Sequence, residues 1–432
     1  GVRSLEPASY ALADRTGRIL RSGSYWNLRD HANGDAPSDR STCVQNVGKL
    51  LQSSLESHLV SDVPVGLFLS GGIDSSALAI LASRAQKGLD AITLGFEQKE
   101  FDETAYAKTL GKSLGLRHHI FQRTEADLLD EFPHFLDSMD QPSIDGFNTY
   151  LVSKAAHEAG LKVVLSGLGA DEIFGGYPSF WQVPLALNLQ RLSGLFGPGR
   201  KVFASLAGQL PSAHAEKLAT VFCRPNHIVD LQLLRRELFL REHHQTFVAN
   251  DPSLCENTGI ANDLIQRLKS NVAGLDPESQ ISMLELQTYL RYVLLRDSDN
   301  FSMAHGLELR VPFLAKDLLE FAIRIPGKWK RPARYPKPLL VDAVAEIPKE
   351  IYARKKQGFS LPWATWIKGP LRPLFLSHLE TRESWTTIGI DSKFPLKVWN
   401  EFLANPTRGR ASRVLALCSL ASFTKSHKLS AP

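Results

Sequence analysis

Apolar positions in the first part of the chain follow two patterns. Val44 to Leu59 has apolar residues at helical spacing, and Val63 to Leu69 is a short apolar run that Ser70-Gly71-Gly72 ends. Helical spacing predicts an amphipathic helix, and a short continuous run predicts a parallel strand that is covered on both faces. The next helix is predicted to begin near Asp74.

The same alternation continues to Ser166. Further strands are predicted at Ala91 to Phe96, Arg117 to Phe121 and Lys162 to Ser166, and helices at Glu103 to Leu114, Ala126 to Asp137 and Thr149 to Ala159. Repeated strand and helix units predict an α/β fold with a doubly wound parallel sheet. From about Leu185 onward helical spacing dominates, notably across Met283 to Leu295, which predicts a helical C-terminal subdomain packed on the sheet.

These patterns divide the chain into three segments. Ala32 to Ser41 is rich in Gly, Asp, Pro and Ser and is typical of a linker. Before it, Tyr10 to Ala13 and Arg18 to Leu20 are strand-like, but so short a segment cannot form its own core. We therefore assign residues 1–40 to the end of a larger domain plus a linker, 41–184 to the α/β core and 185–432 to the helical subdomain.

Composition excludes several classes of protein. The 432 residues are 43% apolar and 22% charged, which is ordinary for a globular protein and argues against disorder. The net charge of +5 is too small for a dedicated nucleic-acid binder, and glycines and prolines interrupt the uncharged stretch from Ile173 to Gln190, which disqualifies it as a membrane span. The cysteines have no disulfide or metal-site spacing, so we expect a cytoplasmic protein. They are Cys43, Cys223, Cys255 and Cys418.

The turn from Ser70 to Ser76 is the first candidate for chemistry. It lies between a buried strand and a helix start, where backbone N–H groups and the positive end of the helix dipole bind phosphate. Its predicted phosphate ligands are Ser70, Gly71, Gly72, Ser75 and Ser76. Asp74 repels phosphate unless a divalent cation bridges them, which predicts Mg²⁺. The lysine of the G-x-x-x-x-G-K-[ST] loop is missing, so we expect cleavage at a different phosphate. The alternative is a serine-rich turn that only caps a helix.

A second cluster, from Ser166 to Tyr177, also follows an apolar strand. Ligands of open parallel sheets bind outside the carboxyl ends of the strands, so both loops are expected to face one nucleotide. Asp171 then shares the metal ion with Asp74. The alternative is that the four glycines of this cluster only form turns.

Positive charge is concentrated between Arg324 and Lys356, a segment that has ten cationic side chains and three carboxylates. A solvated surface, an anion site and a nucleic-acid contact are all open interpretations. The segment ends in the run Arg354 to Pro362 (RKKQGFSLP), in which Gly358 gives a loop the freedom to close. A lysine on such a loop suits the negative charge that develops on an α-phosphate.

Five separated motifs carry a resemblance to a known family. They are Ser70 to Ser76, Phe101-Asp102-Glu103, Ser166 to Tyr177, Met303 to Leu314 (MAHGLELRVPFL) and Arg354 to Pro362. Together they resemble the synthetase half of glutamine-dependent asparagine synthetases, over about Tyr25 to Phe423. The resemblance implies the ATP-pyrophosphatase (PP-loop) fold that β-lactam synthetases and other adenylating enzymes share.

The resemblance also implies roles for single residues. Leu69 and Leu94 match positions that contact adenosine, Ser166 and Gly167 match positions that line ATP, Asp74 and Asp171 match the metal-pyrophosphate carboxylates, and Lys356 matches a transition-state lysine. The implied reaction uses ATP and Mg²⁺: the aspartate side chain is adenylated, pyrophosphate leaves, and ammonia forms the amide of asparagine. A related enzyme that adenylates another carboxylate, in cell-envelope or secondary-metabolite synthesis, is the alternative.

The chain departs from the family pattern at three places. Leu168 stands where bacterial members have a Glu, and Ala315 stands where the P-F-L-D run has its Asp. The glutaminase of the family needs an N-terminal Cys, whereas residue 1 is Gly. Gly1 to Tyr25 resembles the closing strands of such a glutaminase, so we expect a glutaminase domain or partner chain and, without it, ammonia as nitrogen donor. The oligomeric state is left open, with a homodimer among the options.

Overall fold

The structure, a computed structural model, describes residues 4–96, 104–194, 217, 219–241, 262–331, 335–354 and 361–427. The strands are β1 Ser9–Ala13, β2 Ile19–Ser24, β3 Val65–Phe68, β4 Asp90–Phe96, β5 Arg117–Arg123, β6 Val163–Leu165 and β7 Glu308–Arg310. The helices of the first half are α1 Arg40–Leu59, α2 Ile73–Ala85, α3 Thr104–Ser113, α4 Glu125–Asp137, α5 Phe147–Glu158, α6 Ala170–Phe174 and α7 Ser179–Gly194.

The second half of the described chain is mostly helical. Its α-helices are Ile228–Arg236, Asn262–Val272, Pro277–Glu285, Arg296–Met303, Lys316–Ala322, Pro338–Ala343, Lys349–Tyr352, Trp363–Lys368, Arg372–Leu379, Arg382–Thr387, Phe394–Ala404 and Arg408–Ser426. A π-helix spans Leu286–Leu295, and short 3₁₀ helices span Leu28–Asn33, Pro312–Leu314 and Gly327–Trp329.

Five strands form one parallel sheet in the order β5-β4-β3-β6-β7. From β3 the chain winds through β4 to β5 at one edge, and then returns to place β6 and β7 on the other side of β3. The direction of winding therefore changes between β3 and β6, which are hydrogen-bonded neighbours. This order confirms the predicted doubly wound parallel sheet. β1 and β2 form a separate antiparallel hairpin.

Helices cover both faces of the sheet. One core joins α1, α2, β3 and apolar residues between positions 313 and 351, and another joins α5 to β4 and β6. The helices between positions 363 and 426 pack on α4 and α5 around Phe132, Phe135 and Trp366. A further core links α7 to the helices Ile228–Arg236, Asn262–Val272 and Pro277–Glu285. Strand β3 is buried on both faces, as its continuous apolar run predicts.

Most predicted elements of the α/β core begin and end within two residues of the observed bounds. α1 is an exception, because it begins at Arg40, inside the predicted linker. The Asp39 side chain accepts a hydrogen bond from the Thr42 N–H and so caps the helix earlier than the apolar spacing indicates. Strand β7 was not predicted, since three residues are too few to show a period. The domain boundaries at residues 40 and 184 stay predictions.

Two other expectations concern helices. The predicted helix Met283 to Leu295 is observed, but from Leu286 onward its hydrogen bonds follow the wider π pattern, which apolar spacing does not reveal. The motif Phe101-Asp102-Glu103, which precedes α3, lies outside the described residues. None of the helices in the described ranges is long and apolar enough to cross a membrane.

Candidate functional site

The two predicted loops lie side by side at the centre of the sheet. The turn Ser70 to Ser76 follows β3 and the Ser166 loop follows β6, and these strands pair in register from Val65 to Leu67. The winding of the sheet reverses between them, so their carboxyl ends border the crevice where open α/β sheets bind ligands. The structure thus brings together the two clusters that were predicted to face one nucleotide.

The first loop is shaped by its own hydroxyl groups. The Ser75 Oγ lies 3.0 Å from the Ser70 Oγ, accepts a hydrogen bond from the Ser70 N–H at 3.2 Å and donates to the Gly72 carbonyl at 3.2 Å. Gly71 has a φ of +74°, which residues with a side chain rarely adopt. Gly72 is the N-cap of α2 and contributes no side chain to the first N–H groups of that helix. The helix start is therefore suited to an anion.

Ser76 differs from the other residues of the loop. It is fully buried, and its hydroxyl has no hydrogen-bond partner among the described residues. Its backbone N–H donates to the Gly72 carbonyl within α2. The role of Ser76 as a phosphate ligand stays a prediction, and its buried position does not support it.

Glycines of the second cluster allow the two loops to touch. A Cβ added to Gly167 would lie 2.9 Å from the Cβ of Asp74. Gly169 has a φ of +95° and precedes α6, whose first turn carries Asp171. These glycines therefore do more than form turns, because they bring the start of α6 against the first loop.

Asp74 and Asp171 converge on one cation, the ammonium of Lys337. The Lys337 Nζ lies 2.5 Å from each carboxylate oxygen of Asp74 and 2.5 Å from Oδ1 of Asp171. The Lys337 side chain is only 2% exposed. Lys337 was not predicted, because nothing in the sequence separates it from the other cations of the basic segment.

Two backbone features place this lysine. Lys337 has a φ of +52°, in the left-handed region, and directly precedes the helix Pro338–Ala343. A Cβ added to Gly176 would lie 1.7 Å from Asp171 Oδ1 and 2.4 Å from Lys337 Cε, so glycine leaves the room that this contact needs. Burial opposes the positive charge, but attraction by Asp171 and Asp74 outweighs it and raises the pKa of Lys337 above its ordinary value.

The two carboxylates also fit a magnesium ion that binds together with a nucleotide. Mg²⁺ in such sites takes one or two carboxylates from the protein, and phosphate oxygens and water supply the rest. Within the described ranges, no three His, Cys, Asp or Glu side chains form a metal site of their own. Asp74 and Asp171 are therefore the residues that would hold Mg²⁺, with phosphates completing its ligands.

Of the residues predicted to contact adenosine, Leu69 directly follows β3 and Leu94 lies within the neighbouring strand β4. Leu69 is 1% exposed, and its carbonyl accepts a hydrogen bond of 2.5 Å from the Thr93 hydroxyl. Leu94 lies one residue further along β4 and is half-buried. The Ser166 N–H donates to the Arg310 carbonyl of β7 at 2.8 Å. The unpredicted strand β7 thus fixes the start of the second loop.

The basic segment delivers a second cation to the first loop. The Arg354 Nη2 donates to the Gly71 carbonyl at 3.0 Å, and its guanidinium lies 4.6 Å from the centre of the Tyr106 ring. Other cations of the segment lie elsewhere: Arg331 pairs with Glu278, and Lys330 is fully buried. Lys356 lies outside the described residues.

A buried polar network supports α6 behind Asp171. Glu172 is 1% exposed and accepts a hydrogen bond of 2.8 Å from the Tyr177 hydroxyl. The Arg236 guanidinium lies 3.6 Å from the ring centre of Tyr289 and pairs with buried Glu285 at 2.6 Å. Burial, together with the charge of Asp171, raises the pKa of Glu172 to about 7. This network holds the loop that carries Asp171.

Fold and site define an α/β protein of the ATP-pyrophosphatase type, with two loops at the switch point of a parallel sheet. The family model "Asparagine synthase" matches residues 46–428, and the chain therefore belongs to the asparagine synthase family.

Curated relatives agree with this family. The chain is 30% identical over 369 residues to asparagine synthetase [glutamine-hydrolyzing] 1 of Bacillus subtilis, which covers 84% of this chain and 56% of that protein. It is 30% identical over 382 residues to a putative asparagine synthetase [glutamine-hydrolyzing] of Mycobacterium bovis, a match that covers 85% of this chain and 56% of that protein. Amidase chyE of Penicillium rubens is 26% identical over 429 residues, covering 90% and 62%. The chain thus spans little more than half the length of these relatives.

Proposed function

We propose that this chain is an ATP-dependent ligase that converts aspartate to asparagine, with AMP and pyrophosphate as the other products. The proposal rests on the observation that the Asp74 and Asp171 carboxylates lie together at the switch point of the sheet. The membership in the asparagine synthase family supports the choice of reaction.

In the proposed reaction the triphosphate lies at the start of α2, where backbone N–H groups and the Ser70 and Ser75 hydroxyls bind it. An oxygen of the aspartate side-chain carboxylate attacks the α-phosphorus, and the bond from that phosphorus to the pyrophosphate oxygen breaks. Ammonia then attacks the acyl carbon of the adenylate, AMP leaves with the ester oxygen, and the nitrogen loses a proton to water. Mg²⁺, when bound, neutralises phosphate charge beside Asp74 and Asp171.

We propose that Lys356 stabilises the negative charge on the α-phosphate. This residue follows Arg354 by two positions, a span of at most about 7 Å of extended chain, and Arg354 contacts the Gly71 carbonyl. An ammonium that reaches the α-phosphate stabilises the charge that develops as pyrophosphate leaves.

Exchange of labelled pyrophosphate into ATP tests the proposal. Aspartate should start the exchange in the presence of Mg²⁺, because adenylation is reversible while no amine consumes the adenylate. Asp74→Asn should remove the exchange. If aspartate gives none while another acid does, the aspartate assignment is wrong although the adenylating class stands.

Leu168 favours a second candidate, an adenylating enzyme for another carboxylate. It lies in the second loop between Gly167 and Gly169, and its side chain cannot transfer a proton. Amidase chyE matches the chain over 90% of its length, which is compatible with such a substrate. A panel of acids in the same exchange assay separates the two candidates.

For nitrogen, we propose that the 432-residue chain uses ammonia. Cys43 and Cys418 are fully buried, and burial raises the pKa of the Cys43 thiol to about 11, so neither supplies a thiolate for attack on glutamine. Cys223 is free and exposed, but it lies inside the chain and lacks the N-terminal α-amine that serves as base in the family's glutaminase, and Cys255 lies outside the described residues.

We also propose that a glutaminase domain or chain packs on the β1–β2 hairpin. Leu12, Ile19 and Leu20 are more than half exposed there, and such an apolar surface suits a protein partner. The glutamine-hydrolysing relatives are longer than this chain, which agrees with such a partner. The cytoplasmic location and a homodimer also stay predictions.

A further inference from the structure

The Lys337 ammonium lies between Asp74 and Asp171, the two residues that would hold Mg²⁺. Its Nζ contacts three carboxylate oxygens at 2.5 Å, so the carboxylates enclose the ammonium. Mg²⁺ needs oxygen ligands at 2.0–2.1 Å in octahedral geometry. The Lys337 ammonium and a metal ion exclude each other, because both need the same carboxylate oxygens and two positive charges so close together repel.

The surroundings of Lys337 fix it in this position. Its backbone holds a left-handed φ of +52°, and residues in such conformations persist only where neighbouring structure determines them. The following residues Leu339 and Leu340 are fully buried in the core with α1 and α2. Gly176 packs directly against both partners, since a Cβ there would lie 1.7 Å from Asp171 Oδ1 and 2.4 Å from Lys337 Cε. Moving the ammonium away from both carboxylates therefore needs another group of negative charge to receive it.

We propose that Lys337 keeps divalent cations out of the free enzyme, so that the metal enters only together with a nucleotide whose phosphates accept the lysine ammonium. The inference rests on the proposed function for the identity of the nucleotide. In this role Lys337 makes the binding of metal and the binding of nucleotide depend on each other, since each binds well only when the other is present.

Mn²⁺ binding, followed by the electron paramagnetic resonance signal of free Mn²⁺, tests this dependence without any turnover. Once the Mn²⁺ that the analogue binds without protein has been subtracted, wild type should bind Mn²⁺ at least about tenfold more tightly when a non-hydrolysable ATP analogue is present. Lys337→Met should bind Mn²⁺ without nucleotide, again at least about tenfold more tightly than wild type does. Adding Asp74→Asn to Lys337→Met should remove that binding, which places the ion between the two carboxylates.

Lys330→Met is the matched control. Lys330 is equally buried and only seven positions away, but its Nζ has no hydrogen-bond partner among the described residues. This variant should behave as wild type toward Mn²⁺. Equal Mn²⁺ affinity in wild type with and without the analogue overturns the proposal, and this comparison holds even if Lys337→Met does not fold. Failure of the analogue to bind wild type at all contradicts the proposed function, whereas Mn²⁺ binding by Lys337→Met alone still supports the role of the lysine.

Discussion

Glu172 offers a prediction that links the site to the stability of the fold. This residue is 1% exposed and follows Asp171, and its carboxylate accepts a hydrogen bond from the Tyr177 hydroxyl. Burial and the negative charge of Asp171 raise its pKa from 4.5 to about 7. The substitution Glu172→Gln keeps an acceptor for the Tyr177 hydroxyl but cannot ionise.

The sign and size of the effect follow from the two pKa values. The folded state holds the Glu172 proton more tightly than the unfolded state, so the stability that this proton contributes is complete below pH 4.5 and is lost as the pH rises through about 7. A shift of this size corresponds to about 3 kcal/mol. Glu172→Gln avoids that loss, and it should therefore gain up to about 3 kcal/mol relative to wild type between pH 5 and pH 8.

Urea unfolding of both proteins at pH 5, 6, 7 and 8 measures the difference. The control is Glu285→Gln, which removes the negative charge that pairs with Arg236 at a fully buried position and should destabilise at every one of these pH values. A difference between Glu172→Gln and wild type that stays constant with pH would refute the reasoning about Glu172.

Three further outcomes are expected. Gly176→Ala should weaken binding of Mg²⁺ and ATP by at least about tenfold in calorimetry, because the new Cβ displaces Asp171; Gly115→Ala, whose new Cβ meets no atom, strains a backbone with a φ of +66° and lowers stability but should leave binding unchanged. Lys356→Ala should abolish turnover while ATP still binds, whereas Asp74→Asn should also weaken Mg²⁺-dependent binding, and equal mild effects of both would count against these roles. Ammonium salts should support amide formation by the 432-residue chain and glutamine should not, and glutamate released in step with product would reveal a glutaminase that we have not recognised.

The α/β core could be predicted because its signals are local. β3 is a continuous apolar run, and Gly71 and Gly72 mark the turn that follows it. Because parallel strands present their carboxyl ends at one edge, both loops were expected near one ligand. The pairing of β3 with β6 brings the two loops together, and their common ligand stays a prediction.

Lys337 and β7 could not be predicted in the same way, because each depends on contacts distant in sequence. Lys337 is 263 positions from Asp74, and a left-handed backbone at a lysine before proline has no sequence signal. β7 has three residues and is defined by its pairing with β6. The helical spacing around Leu290 predicted a helix but not its π geometry, since π hydrogen bonding leaves a similar apolar stripe.

The central claim is that the two loops bind ATP for cleavage between the α- and β-phosphates. Phosphorus NMR of a reaction with ATP, Mg²⁺, aspartate and ammonium, combined with measurement of amide formed, tests it most directly. AMP, pyrophosphate and asparagine are expected in equal amounts. ADP and orthophosphate as the stoichiometric products would contradict the interpretation of the Ser70 to Ser76 loop and of the carboxylates beside it.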